Sequence, residues 1–128
     1  MKNYHIFLVD NEIRLVECLK LVLNIEGHSV TSAGNGEEAL DKLKEIYADG
    51  SKVDLLITDI LMPKMSGIEL IDKLHQCDIS PATLGISGLA ENETIAKLAE
   101  KGCTDLILKP FTSETLLQKI TEIMDRND

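Results

Sequence analysis

Leu55-Leu56-Ile57-Thr58-Asp59-Ile60-Leu61-Met62-Pro63-Lys64-Met65-Ser66-Gly67 is the stretch on which the reading of this chain turns. Its opening run, Leu55 to Thr58, is short and apolar and lacks the alternation of a half-exposed strand, so it reads as a strand covered on both faces. The run stops at a carboxylate, Asp59, and a loop holding Pro63 and Gly67 follows. Ser66 with Glu69 three residues on has the spacing of a capping box and opens a helix. Strand, polar residue, loop and capped helix together make one βα unit.

The same unit recurs on both sides. Upstream, Ile6-Phe7-Leu8-Val9 stops at Asp10, and Leu15, Val16, Leu19, Val22 and Leu23 follow at helical spacing, closed by Gly27. A weaker strand over 30–33 turns at Gly34-Asn35-Gly36 into a helix with Ala39, Leu40, Leu43, Ile46 and Tyr47 on one stripe. Downstream, a strand over 84–87 passes through Gly88 to a helix beginning near Asn92, with Ile95, Ala96, Leu98 and Ala99 as its inner face and Gly102 at its end. Leu106-Ile107-Leu108 then meets Lys109-Pro110, and Thr112 caps a last helix with Leu116, Leu117, Ile120, Ile123 and Met124 inward. Five fully covered strands alternating with five helices predict an α/β fold, an open parallel sheet with helices on both faces. Right-handed crossovers gather the C-terminal ends of the strands on one edge, where ligands bind in such folds.

At 128 residues the chain is expected to be one domain, 1–128, with a short polar tail at 125–128. Its net charge of −9 argues against nucleic-acid and anionic-membrane binding and favours cations and basic surfaces. Cys18, Cys77 and Cys103 are odd in number and widely separated, which indicates neither a disulfide framework nor a zinc site and fits a reducing cytoplasm. No apolar run approaches the roughly 20 residues that span a bilayer. His5, His28 and His75 are scattered and read as surface residues.

Four polar residues end apolar runs: Asp10, Asp59, Ser87 and Lys109. Singly, each reads as a turn or cap residue. Doubly wound topology brings all four together, with Asn11 and Glu12 beside Asp10. Crowded carboxylates raise one another's proton affinity unless a cation intervenes, and oxygen ligands with room for water suit Mg²⁺ or Mn²⁺. With that charge neutralised, one carboxylate can attack a phosphoryl group while a lysine and a hydroxyl hold its oxygens, and Asp59 is the best placed nucleophile.

The segments FLVDNE (7–12), LLITDILMPKMSG (55–67), GIS (85–87) and LKPF (108–111) resemble, in order and spacing, the receiver domain of bacterial two-component response regulators of the chemotaxis-regulator type. The resemblance covers essentially the whole chain. It implies a flavodoxin-like doubly wound (βα)5 sandwich with strand order 2-1-3-4-5. It also implies that Asp59 accepts phosphate from a sensor histidine kinase or phosphotransfer protein, and that Asp10, Asp59 and the Leu61 backbone carbonyl hold Mg²⁺. Lys109 would pair with the phosphoryl group, Ser87 would bond one of its oxygens, and the Lys109-Pro110 bond would be cis. Such a domain is no enzyme beyond Mg²⁺-dependent self-phosphorylation and autodephosphorylation. Its output passes to a further domain or downstream protein. Receivers also pair through the face of the fourth helix, fifth strand and fifth helix; here that face carries Lys97, Lys101, Asp105 and Glu114, a mixed set that either pairs across a two-fold axis or is solvated.

Three positions depart from the family pattern. Asn11 replaces a second acidic ligand, so Asn11 or Glu12 would complete the metal site. Leu106 occupies the place of a switching aromatic. Leu61 and Leu89 make an apolar rim that would hinder in-line attack by water and slow the loss of phosphate. Two other classes compete. A pseudo-receiver keeps the fold but takes no phosphate; an aspartyl-phosphate phosphatase of the haloacid-dehalogenase type needs a second Asp two residues after the nucleophile, where Asp59-Ile60-Leu61 has none.

Overall fold

The computed structural model describes residues 3–62, 64–88 and 91–127. Each apolar run is a strand and each periodic stretch a helix: β1 (His5–Val9), α1 (Ile13–Ile25), β2 (Ser29–Ala33), α2 (Gly36–Ala48), β3 (Leu55–Asp59), α3 (Gly67–Gln76), β4 (Ala82–Ser87), α4 (Asn92–Glu100), β5 (Asp105–Leu108) and α5 (Ser113–Asn127). All strand pairs are parallel and the order is β2-β1-β3-β4-β5, the flavodoxin-like doubly wound arrangement.

Alternation along the strands divides the core in two. Ile6 and Leu8 of β1 with Leu55 and Ile57 of β3 point to the face covered by α1 and α5, where they meet Leu19, Leu23, Leu116, Ile120 and Ile123. Phe7, Val9 and Leu56 point to the opposite face, onto Ala39 and Leu43 of α2 and Leu70 and Leu74 of α3. Strands buried on both faces carry apolar side chains on both, which is why these runs show no period of two. Each fully buried Leu, Ile or Phe contributes about 1.5–3 kcal/mol.

Local signals set the helix ends. Ser66 Oγ accepts the Glu69 N–H at 3.2 Å and Thr112 Oγ1 accepts that of Thr115 at 3.1 Å, while Asn35 caps α2 through the Glu38 N–H. Gly27, at φ +94°, turns the chain out of α1 while the His28 N–H returns to Leu23 O.

Three expectations need correction. In α4 only Leu98 is buried; Ala96 and Ala99 are exposed and Ile95 is 43% exposed, because α4 rests on a small cluster of Ile60, Ile71, Leu98 and Cys103. The polar end is helical through Asn127, held by Asn127 Nδ2 donating to Ile123 O and by Arg126 reaching Asp105 at 2.6 Å; Asp128 lies outside the described residues. His5 and His28 are half-buried: His5 Nε2 is 2.9 Å from Thr31 Oγ1, and His28 stacks on Tyr4 and accepts its backbone N–H. Burial lowers the His28 pKa, an effect Glu26 partly opposes.

Cys18 and Cys77 are exposed free thiols, and Cys103 is buried, which pushes its thiol pKa up and keeps it unreactive. Among the described residues no helix is long and apolar enough to cross a membrane.

Candidate functional site

Parallel register delivers the four strand-end residues to one edge. The Asp10 N–H donates to Ala33 O, that of Ile60 to Ile86 O, and that of Lys109 to Ser87 O at 2.8 Å, so each continues a ladder one residue past its strand. Asp10, Asp59 and Ser87 are buried polar residues, at 1%, 5% and 0% exposure, and among the described residues Thr58 alone joins them. The Thr58 hydroxyl donates to Asp59 O at 2.9 Å and steadies the end of β3 from within. The Lys109-Pro110 peptide is cis.

Lys109 is the hub. Its Nζ lies 2.8 Å from Glu12 Oε1, 3.0 Å from Asp10 Oδ2 and 3.3 Å from Asp59 Oδ2. Burial works against the ammonium, but the Glu12 hydrogen bond and the Asp10 and Asp59 carboxylates outweigh it and raise the Lys109 pKa far above its ordinary value. Asp59 has the opposite problem. Desolvation and then the Asp10 charge raise its pKa, and Lys109 and the Leu61 N–H, 3.2 Å from Asp59 Oδ1, lower it only in part. Three carboxylates around one ammonium leave a formal charge of −2.

That excess fits a divalent cation. Asp10 Oδ1 accepts the Glu12 N–H at 2.9 Å, while Oδ2 is fully buried and faces the Lys109 ammonium at 3.0 Å. Two buried carboxylates that share one ammonium keep an excess of negative charge, which is costly unless a further cation takes it up. Among the described residues no three His, Cys, Asp or Glu side chains converge as a metal cluster. Two carboxylates completed by carbonyl oxygen and water is the ligand economy of Mg²⁺.

The loop behind Asp59 is tightly built. The Gly67 N–H donates to Ile60 O at 2.9 Å, and a Cβ on Gly67 would lie 2.6 Å from Asp59 O and 3.0 Å from Ile60 Cα. Leu61 is 52% exposed beside the site, Asn11 is exposed, and Leu106 packs half-buried against the α4 cluster. Pro63 and Leu89 lie outside the described residues. Sequence reasoning offered Asn11 or Glu12 to complete the metal site and missed the pairing of Glu12 with Lys109, because the two are 97 residues apart and no local spacing records the contact.

Comparison with known proteins shows the family and the fold. The family model described as the response regulator receiver domain matches residues 6–121. The chain is 34% identical over 122 residues to the transcriptional regulatory protein CpxR of Escherichia coli, covering 95% of this chain and 50% of that one. It is 32% identical over 128 residues to the alkaline phosphatase synthesis transcriptional regulatory protein PhoP of Bacillus subtilis, covering 98% and 50%. It thus spans about half the length of the curated relatives it matches. A CheY-like receiver domain protein of Methanospirillum hungatei superposes with TM-score 0.86 at 28% identity, covering 98% and 96%. CheY in a CheX-CheY-BeF3-Mg²⁺ complex of Borrelia burgdorferi superposes with TM-score 0.85 at 28% identity, covering 94% and 89%.

Proposed function

The chain belongs to the response regulator receiver family, and from that premise we propose that Asp59 is its phosphoacceptor and Lys109 and Ser87 the groups that hold the phosphoryl oxygens. The observation that carries this is the buried Asp10–Asp59 pair with Lys109 Nζ 3.0 and 3.3 Å from its oxygens. An Asp59 oxygen attacks the phosphorus of a phosphohistidine, the P–N bond breaks, and the imidazole nitrogen keeps the electron pair. Lys109, charged at every physiological pH, turns from the carboxylates to the new phosphoryl oxygens. Ser87, at the end of β4 and one backbone hydrogen bond from Lys109, donates its hydroxyl to the same group. Asp10, Asp59 and the Leu61 carbonyl, with Asn11 or Glu12, would hold Mg²⁺ or Mn²⁺, which when bound neutralises charge on the phosphoryl oxygens.

Receiver domains as a family bind Mg²⁺ at this site and work with histidine kinases and output domains. For this chain we infer a sensor histidine kinase or phosphotransfer protein as donor, an output domain or downstream protein as recipient, and no turnover beyond self-phosphorylation and autodephosphorylation. Three free thiols fit a cytoplasmic setting. A homodimer through α4, β5 and α5 is compatible with the mixed charges of that face.

Amide NMR with beryllofluoride, a phosphoryl mimic, tests the reading. Resonances of Asp59, Ser87 and Lys109 are expected to shift only when beryllofluoride and Mg²⁺ are both present; unchanged spectra would overturn it. The exposed apolar Leu61 predicts slow hydrolysis. Phosphoprotein followed by intact mass in Mg²⁺ should persist for many minutes, and Leu61→Asn should shorten its life several-fold.

A further inference from the structure

We propose that Glu12 is a positioning residue for Lys109: its carboxylate draws the ammonium outward, so that a divalent cation displaces the lysine from Asp10 and Asp59 more readily. The proposal rests on the reading of that pair as the cation-holding carboxylates. Of the three anions around Nζ, Glu12 is nearest at 2.8 Å, and it alone is exposed, its side chain 60% accessible against 0% for Asp10 and 7% for Asp59. The distance to Nζ thus grows from the exposed carboxylate to the buried ones.

Glu12 is also free for this task. It is the N-cap of α1, where a carboxylate ordinarily bonds the helix N–H groups, yet its side chain makes no cap bond. Its backbone is fixed instead, by the N–H donated to Asp10 Oδ1 at 2.9 Å and by the carbonyl that accepts the Val16 N–H at 3.0 Å. The anchor of Glu12 is therefore Asp10 itself, which ties the position of the lysine to the carboxylate it would otherwise block. Nζ still lies 3.0 Å from Asp10 Oδ2 and donates to Asp59 Oδ2 at 3.3 Å, so the ammonium must yield both oxygens when a cation arrives. An ammonium at that distance repels a cation competing for the same oxygen, and in a poorly solvated site the repulsion is strong. With Asn11 uncharged, Glu12 is the remaining acid near enough to relieve it.

Calorimetric Mg²⁺ titration of Glu12→Gln, Glu12→Asp, Lys109→Met and the Glu12→Gln/Lys109→Met double variant tests this, with circular dichroism confirming the fold. Glu12→Gln and the shorter Glu12→Asp should both weaken Mg²⁺ binding, by roughly five- to tenfold. The Glu12→Gln effect should shrink to twofold or less when Lys109 is already Met. Wild-type affinity in Glu12→Asp, or an equal Glu12→Gln effect in both backgrounds, would mean a plain field effect and overturn the proposal. If wild type binds no Mg²⁺, the reading of the metal pair fails instead. The metal-free protein then decides the positioning: Lys109 Cε and Nζ resonances should move to free-lysine values in both Glu12 variants, and unchanged resonances would overturn it.

Discussion

Gly67→Ala is expected to lower the free energy of unfolding by about 3 kcal/mol, a large loss for one added methyl group. The Cβ would meet Asp59 O at 2.6 Å and Ile60 Cα at 3.0 Å, and both are backbone atoms that cannot swing aside. Relief requires moving the β3 end against the start of α3, at the cost of the Gly67 N–H bond to Ile60 O. The damage therefore reaches the site, since the displaced backbone carries Asp59. Gly88→Ala is the control, because among the described residues nothing lies within 4 Å of a Cβ there, and it should stay within about 0.5 kcal/mol of wild type. Urea unfolding of the two variants checks both values; equal midpoints would refute the packing argument.

Asp59→Asn should do two things at once: abolish phosphoryl uptake and stabilise the metal-free protein. Burial, then the Asp10 charge, raise the Asp59 pKa above its ordinary 3.8. The folded state thus holds that proton more tightly than the unfolded chain does. Stability from this source is fully present below the unfolded pKa and is lost as pH rises through the folded one. Asparagine never ionises, retains the volume and keeps an oxygen for the Leu61 N–H. Its advantage should be near zero below pH 4 and grow as pH rises toward 7 without metal. Saturating Mg²⁺ should reverse the order, because a ligand of the native state stabilises the wild type more. Thermal melts across pH, with and without Mg²⁺, measure the effect; a wild type more stable than Asp59→Asn at pH 7 without metal would contradict it.

Much of this was legible in the residues. The runs 6–9 and 55–58 read as covered strands because both faces of each strand meet helices, whereas 106–108 lies at the sheet edge with Leu108 46% exposed; the Ser66–Glu69 and Thr112 signals worked because capping is local. Asp10, Asp59, Ser87 and Lys109 were found because parallel topology puts the C-terminal ends of the strands on one edge, so four polar residues at those ends fall together. What failed was tertiary. The apolar stripe of α4 satisfies helical periodicity, but how many of its residues are covered depends on the small Ile60–Ile71–Cys103 platform beneath it. Residues 125–127 look like a tail until Arg126 finds Asp105, 21 positions away. The Glu12–Lys109 pair joins opposite ends of the chain and leaves no trace in local pattern.

Intact mass after incubation with a small acyl-phosphate donor, with and without Mg²⁺, on wild type and on Asp59→Asn, tests the central claim most directly. A gain of one phosphoryl group that requires both Mg²⁺ and Asp59 is the predicted result. No gain in folded wild-type protein with Mg²⁺, or a gain that survives Asp59→Asn, would contradict it.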